Sequence, residues 1–256
     1  MIDSSYLLIC VFAFAAMFGG ALIGIFTARA LPRHHLSPES ATVVKMVAAI
    51  VATLTSMVLA LMLSSANSSF STNAGIVKKL SSDFVHLDHM LRAYGPEAND
   101  ARAKLRAYAT MKKEELFPSA DARSTANRET ADQLDALLDA ILLLPATDRR
   151  PTALSAQALT ITTNIYAERW LLWEDPGTTV PLQFLFVLIF WLFLIFVSFG
   201  VFAPVNLTVI VSFFLSSLAV TGAILMILEL GDPMHHSWLQ ISSEPMRRAL
   251  LEINRP

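Results

Sequence analysis

Three features of the sequence predict an all-α polytopic membrane protein with four transmembrane helices and a helical, coiled-coil-like extramembrane insert. First, 54% of the 256 residues are hydrophobic and 16% are charged, whereas soluble chains hold about 45–50% apolar residues and about a quarter charged. Second, Asp, Glu, Lys and Arg are absent from residues 4–28, 46–77 and 176–228. A bilayer-spanning helix needs about 20 mostly apolar residues, so the last run is long enough for two. Third, 28 of the 40 charged residues fall in one segment, 65–175. Its apolar residues recur at helical spacing, and no stretch alternates as a strand does.

The first span is expected over residues 6–28, closed by Arg29 and the polar "LPRHH". Asp3 stands where a signal peptide carries basic residues, and the apolar run is longer than a typical signal core, so the span is expected to be retained. Cys10 is the one cysteine and has no intrachain partner. "SPES" restarts a helix, with Ser37 as its cap and Pro38 in its first turn. The second span is expected over 43–63. Pro204 and Asn206 divide the C-terminal run into a third span, 181–202, and a fourth, 205–228, joined as a tight hairpin through "FAPVN". The chain thus divides into spans one and two (1–64), an extramembrane domain (65–175), spans three and four (176–230) and a C-terminal turn with an amphipathic helix (231–256).

In the insert, Val77, Leu80, Phe84, Leu87, Leu91 and Tyr94 step by three and four residues, the spacing of an a/d seam. "YGPEAN" stops that helix. Leu105, Tyr108 and Met111 mark a second, which ends near Pro118. Leu134, Leu137, Leu138 and Ile141 mark a third, which stops at Pro145. Leu154, Ala158, Ile161, Ile165 and Leu172 mark a fourth. Residues 64–72 hold neither Pro nor Gly, so span two is expected to run into the first insert helix as one long rod. Glu168 and Arg169, beside Trp170, read as a helix surface running into an aromatic belt.

Small residues recur at i+4 spacing in three spans: Ala16, Gly20, Gly24 and Ala28; Ala48, Ala52, Ser56 and Ala60; and, less strictly, Ser212, Ser216, Ala219 and Ala223. Such stripes let helix backbones approach closely. They fit packing within one subunit; the sharper reading is that one stripe lines a subunit interface or a pore. Span three, "FLFVLIFWLFLIF", is bulky all round and reads as facing lipid over much of its surface. No charge lies deep in any span, which argues against a proton pump or coupled transporter. A passive path is then lined by small and hydroxyl groups. Its candidates are Ala52, Ser56, Leu59 and Leu63 in span two, with Leu59 or Leu63 as an apolar gating ring, and Ser212 and Ser216 in span four.

The net charge of −2 speaks against nucleic-acid binding. Neither GxSxG, HExxH nor a P-loop occurs, so no enzymatic role, cofactor or metal is expected. The loop after span one carries Arg29, Arg33 and Lys45 against Glu39. The positive-inside rule therefore puts the short loops in the cytoplasm, and the insert and both termini outside.

The last span ends in "LELGDPMHHSW". Three readings fit it. Glu229 and Asp232 mark an interfacial exit anchored by Trp238; or Asp232, His235 and His236 hold a metal; or Glu229, Asp232, His235 and His236 form a proton-sensitive turn. Beyond it lies "LQISSEPMRRALLEI", in which Ser242 or Ser243 caps a short helix. That helix has an apolar face of Met246, Leu250 and Ile253 and a basic face of Arg247 and Arg248.

A last span closing in Leu-Glu-Leu, an acidic-Pro turn, "ISSEP" before a basic-apolar helix, and "LRAYGPEANDARAKLRAY" in the insert together resemble the bacterial bestrophin-like domain family. Where that family has Pro-Phe and then Gly in the turn, this chain has Met234, His235 and His236 after Pro233. The resemblance implies a multi-pass protein of the bacterial inner membrane, a homo-oligomer in the lipid bilayer, and passive passage of small anions, as in bestrophin channels. Bestrophin vestibules are cytosolic, so it implies the opposite orientation to the loop charges. The alternative function is a non-transporting membrane scaffold that binds a partner through its helical insert.

Overall fold

The computed structural model describes residues 4–32, 36–118, 126–145, 149–174, 182–231 and 240–255. Among these, every regular element is helical: α1 (Ser4–Ala30), α2 (Pro38–Tyr94), a short 3₁₀ turn (Pro96–Ala98), α3 (Asn99–Leu116), α4 (Ala126–Leu142), α5 (Arg149–Glu174), α6 (Leu182–Val201), α7 (Leu207–Gly231) and α8 (Glu244–Ile253). Four of them, α1, α2, α6 and α7, are long and apolar enough to cross a membrane.

The helix ends follow from local chemistry. The Ser40 amide donates to Ser37 Oγ at 3.2 Å, capping α2 just before Pro38. With no breaker after it, α2 runs unbroken for 57 residues, about 85 Å at 1.5 Å per residue. It stops at Gly95, whose φ of 120° no side-chain-bearing residue adopts easily. Asn206 Oδ1 accepts the Val209 amide at 2.9 Å and starts α7 after Pro204. Ser242 Oγ accepts the Glu244 amide at 3.3 Å where α8 begins.

The chain forms two compact units: Met1–Phe70 with Gly177–Gln240, and Ser71–Pro176 with Ile241–Pro256. In the first, α1 packs on α6 and α7. One glycine of the α1 stripe and one of α6 bring backbones together: a Cβ on Gly24 would lie 2.3 Å from the Val197 carbonyl oxygen, and one on Gly200 of α6 would lie 2.2 Å from that of Ala21. This stripe therefore serves packing within the subunit. Span three is covered by the chain on one face and exposed over much of the rest. Leu185, Leu188, Ile189, Leu192, Ile195 and Phe196 are buried, while Phe184, Phe186, Val187 and Phe190 are exposed. Phe14 and Phe18 of α1 meet the edge of Phe214 of α7 at 5.4 and 5.7 Å.

In the second unit, the seam residues Val77, Leu80, Phe84, Leu87 and Leu91 are all buried. Leu80, Phe84, Leu87 and Leu91 join Leu105 and Tyr108 of α3, Leu134, Leu137 and Ile141 of α4, Ile165 of α5, and Met246 and Ile253 of α8 in one core. Phe84 and Tyr108 meet edge to face at 5.7 Å. The apolar side of α8 is buried at Met246, Ala249 and Ile253, and Arg247 and Arg248 pair with Glu244 on its exposed side.

Candidate functional site

About 100° of helical rotation per residue sorts the membrane half of α2 into three arcs. One arc packs within the chain: Ala48, Thr55 and Ala66 are buried, and Leu59 and Met62 are half-buried. Leu59 and Met62 lie against Ala66 of their own helix and Ile227 and Leu230 of α7. The opposite arc is bulky and exposed, with Val43, Val47, Ile50, Leu54, Met57 and Leu61. Between them runs a third arc of small and hydroxyl side chains: Ala49, Ala52, Thr53, Ser56, Ala60 and Ser64. All but the half-buried Ala52 are exposed.

The candidate positions fall unevenly on these arcs. Ala52 and Ser56 lie on the small arc, and Leu63, 38% exposed, lies at its edge. Leu59 lies on the packed side. The hydroxyls bond their own helix: Ser56 Oγ donates to the Ala52 carbonyl at 2.8 Å, and Thr53 Oγ1 to that of Ala49 at 2.9 Å. Ser212 of α7 does the same toward Thr208 at 2.8 Å. Ser212 and Ser216 are both exposed, whereas Ser217, next in sequence, is buried.

Glu229 is 4% exposed. It is enclosed at the end of α7, near enough to Cys10 of α1 to act on it electrostatically. The Glu229 side chain is thus enclosed within the chain rather than open to solvent. Asp232, His235 and His236 lie outside the described residues.

The insert holds buried charges of its own. Asp88, 1% exposed, accepts Arg92 Nε at 2.7 Å and Arg102 Nε at 2.9 Å. Arg92 Nη2 also donates to the Glu252 and Arg255 carbonyls at 3.1 and 2.9 Å, and Arg106 Nε to that of Ile253 at 2.8 Å. These carbonyls lie at and just beyond the C-terminal end of α8, where cations are favoured. Thus the "LRAYGPEANDARAKLRAY" segment clasps the C-terminal helix. Lys112 is buried, with its ammonium 2.7 Å from Glu115 Oε1. Thr130 Oγ1 donates to Glu115 Oε2 at 2.6 Å. Burial pulls the Lys112 ammonium below its usual range against the pull of Glu115, and pushes the Tyr108 hydroxyl up. Glu168 is 2% exposed and so is not on a helix surface, contrary to the expectation from its Trp170 neighbour. Spacing alone hid it, because the apolar residues of α5 define a face without excluding a carboxylate from its edge.

A four-span helical bundle with a helical insert built on an extended second span defines a class of integral membrane protein, and comparison with known proteins makes the class specific. The family model "Bestrophin-like domain" matches residues 15–246. The chain belongs to the bestrophin-like family. Among solved structures, it is similar to a bacterial bestrophin homologue from Klebsiella pneumoniae, with a TM-score of 0.66 at 18% identity over 96% of this chain and 99% of that one. A point mutant of a bestrophin homologue from the same organism gives 0.68 at 16% identity over 95% and 98%. At such identity the likeness is one of fold. No curated protein matches the chain.

Proposed function

We propose that the chain is a passive anion channel, assembled from several copies, whose pore is lined by the small arc of α2. The observation that carries this reading is the separation of the three arcs. One face of α2 is taken by its own chain, one is bulky enough for lipid, and the third exposes small and hydroxyl side chains. The chain also encloses α2 least of its spans: 17% of its apolar window is buried, against 39% for α1 and α6 and 22% for α7. Copies meeting around an axis along this arc enclose a path bordered by Ala52, Ser56 and Ser64, with Leu63 as the apolar constriction. Leu59, packed against α7, is the weaker ring candidate. Lys45 lies on the same arc and is exposed; its positive charge at one end supports anions over cations. Membership of the bestrophin-like family supports the same sign. The scaffold alternative loses its main support, because the seam offered to a partner is buried against the chain's own α3, α4 and α5.

The loop charges Arg29, Arg33 and Lys45 support an insert and termini outside the cytoplasm in a bacterial inner membrane. A cysteine at Glu114, in a Cys10→Ser background, is then labelled by an impermeant thiol reagent on intact cells. Labelling only after lysis reverses the orientation. For function, purified protein in liposomes passes chloride; Ser56→Leu lowers the flux several-fold, and Lys45→Glu lowers the chloride-to-sodium preference. Absence of flux at every pH and voltage, with an axis plugged by side chains or lipid, overturns the channel.

A further inference from the structure

Two buried carboxyl groups in the insert have no conventional set of partners. Asp83 of α2 is 8% exposed and Glu168 of α5 is 2% exposed. They lie within hydrogen-bonding reach of each other. Glu168 Oε1 is 3.1 Å from the Lys79 ammonium, which is itself largely exposed. Apart from that ion pair, neither Glu168 oxygen nor Asp83 Oδ2 accepts a hydrogen bond among the described residues. Glu168 acts electrostatically on the Tyr108 hydroxyl of α3, and Arg169 follows it on α5.

Two ionised carboxylates cannot hydrogen-bond each other, and both are held where water is scarce. One proton placed between them supplies the missing donor. With that proton the pair carries −1, which Lys79 neutralises; without it the trio carries −1 and the two carboxylates repel. We propose that Asp83 and Glu168 form a proton-binding site that latches α5 to α2 when it holds one shared proton and loosens them when that proton leaves to solvent past the exposed Lys79.

The direction of the pH effect follows. Burial first, and Asp83 next to it, raise the Glu168 carboxyl from 4.5 to about 7, against the opposing pull of Lys79. A folded-state carboxyl that binds its proton more tightly than the unfolded chain stabilises the fold below the unfolded value. That stabilisation is lost as pH rises through about 7. Between the two values, each pH unit changes the local opening equilibrium by at most about tenfold. The latch therefore closes toward acid and slackens at mildly alkaline pH. It needs no ion flux, so it stands or falls independently of the channel.

The experiment uses the full chain in lipid nanodiscs. Infrared difference spectra between acid and alkaline pH are read for the carbonyl stretch of a protonated carboxyl. Hydrogen exchange of α2 and α5 peptides, corrected for intrinsic rates, is read over the same range. In the parent protein the carbonyl band is lost with a midpoint near 7, and opening of both segments rises with the same midpoint. Glu168→Gln removes the band and flattens the exchange profile. Asp83→Asn keeps a titrating group but moves the midpoint down, and Lys79→Met moves it up; these two keep the test open should the Gln variant not fold. A band or an exchange profile that stays unchanged in Glu168→Gln overturns the proposal. So does a parent protein whose exchange is independent of pH, or a midpoint that neither Asp83→Asn nor Lys79→Met moves.

Discussion

The membrane helices and the insert solve the same problem, the burial of polar groups, in opposite ways. In the spans, several hydroxyls turn back onto their own helices, as Ser81 and Thr162 also do in the insert: Thr53, Thr55, Ser56, Ser198 and Ser212 each donate to the carbonyl four residues earlier. No second helix is needed, so contacts between helices are left to shape, as at Gly24 and Gly200. In the insert, charges reach across helices: Asp88 to Arg102, Lys79 to Glu168, and Arg92 and Arg106 to the end of α8. Hydrocarbon offers no water to soften an imperfect pair, so a span keeps its polar bonds local. The insert has water at its rim and uses charge to select which helices meet, at the risk of a large penalty when one partner is lost.

Four tests break or sharpen that contrast. The largest effect belongs to the insert core. Phe84→Asp with Leu87→Asp buries two unpaired charges at several kcal/mol each, on the order of a domain's whole stability margin. Size-exclusion chromatography and melting in detergent should show a collapsed insert; an unchanged particle would remove the seam from the core. Asp88→Ala comes next. It strands Arg92 and Arg102 and should cost about 3–5 kcal/mol. Limited proteolysis should release the α8 segment at a protease concentration the parent survives. Gly24→Val tests the shape-based side. With the Val197 carbonyl 2.3 Å from the added Cβ, α1 and α6 must part, at about 1–3 kcal/mol. The melting temperature in detergent should fall, while Gly19→Ala, with nothing within 4 Å, leaves it unchanged or raises it. The smallest effect has the opposite sign. A Cβ on Gly75, in the middle of α2, meets nothing within 4 Å. Gly75→Ala should therefore stabilise by about 0.5–1 kcal/mol through the helix backbone alone. A loss of stability there would mean that Gly75 faces another copy of the chain.

Much of this architecture is legible in the residue order because it rests on local rules. Uncharged runs of sufficient length make spans whatever surrounds them. Ser37 before Pro38 opens α2, the lack of Pro and Gly over 64–72 carries it on, and Gly95 ends it, all within a few residues. The three-four stepping of Val77 to Leu91 marks a buried face because an apolar stripe on a helix must be covered. The candidate pore is half-legible for the same reason. The small residues of α2 are visible in order, but which of them the chain covers is not. Ala48 and Ala52 share one stripe, yet Ala48 is buried and Ala52 is only half-buried.

The tertiary structure alone decided the rest, and in each case the reason is distance along the chain. Gly20 and Gly24 look like a stripe for any neighbour until α6 arrives more than 170 residues later with Gly200 facing Ala21. Arg92 and Arg106 look like solvated helix charges until α8 brings its C-terminal carbonyls to them across 160 and 147 residues. Glu168 looks exposed beside Arg169 and Trp170, and only the approach of Lys79 and Asp83 on α2 encloses it. Hydrophobic periodicity reports which face of a helix must leave water, because that cost is paid by each side chain separately. It does not report the partner, because a packed or paired group depends on two segments whose meeting is set by the whole fold.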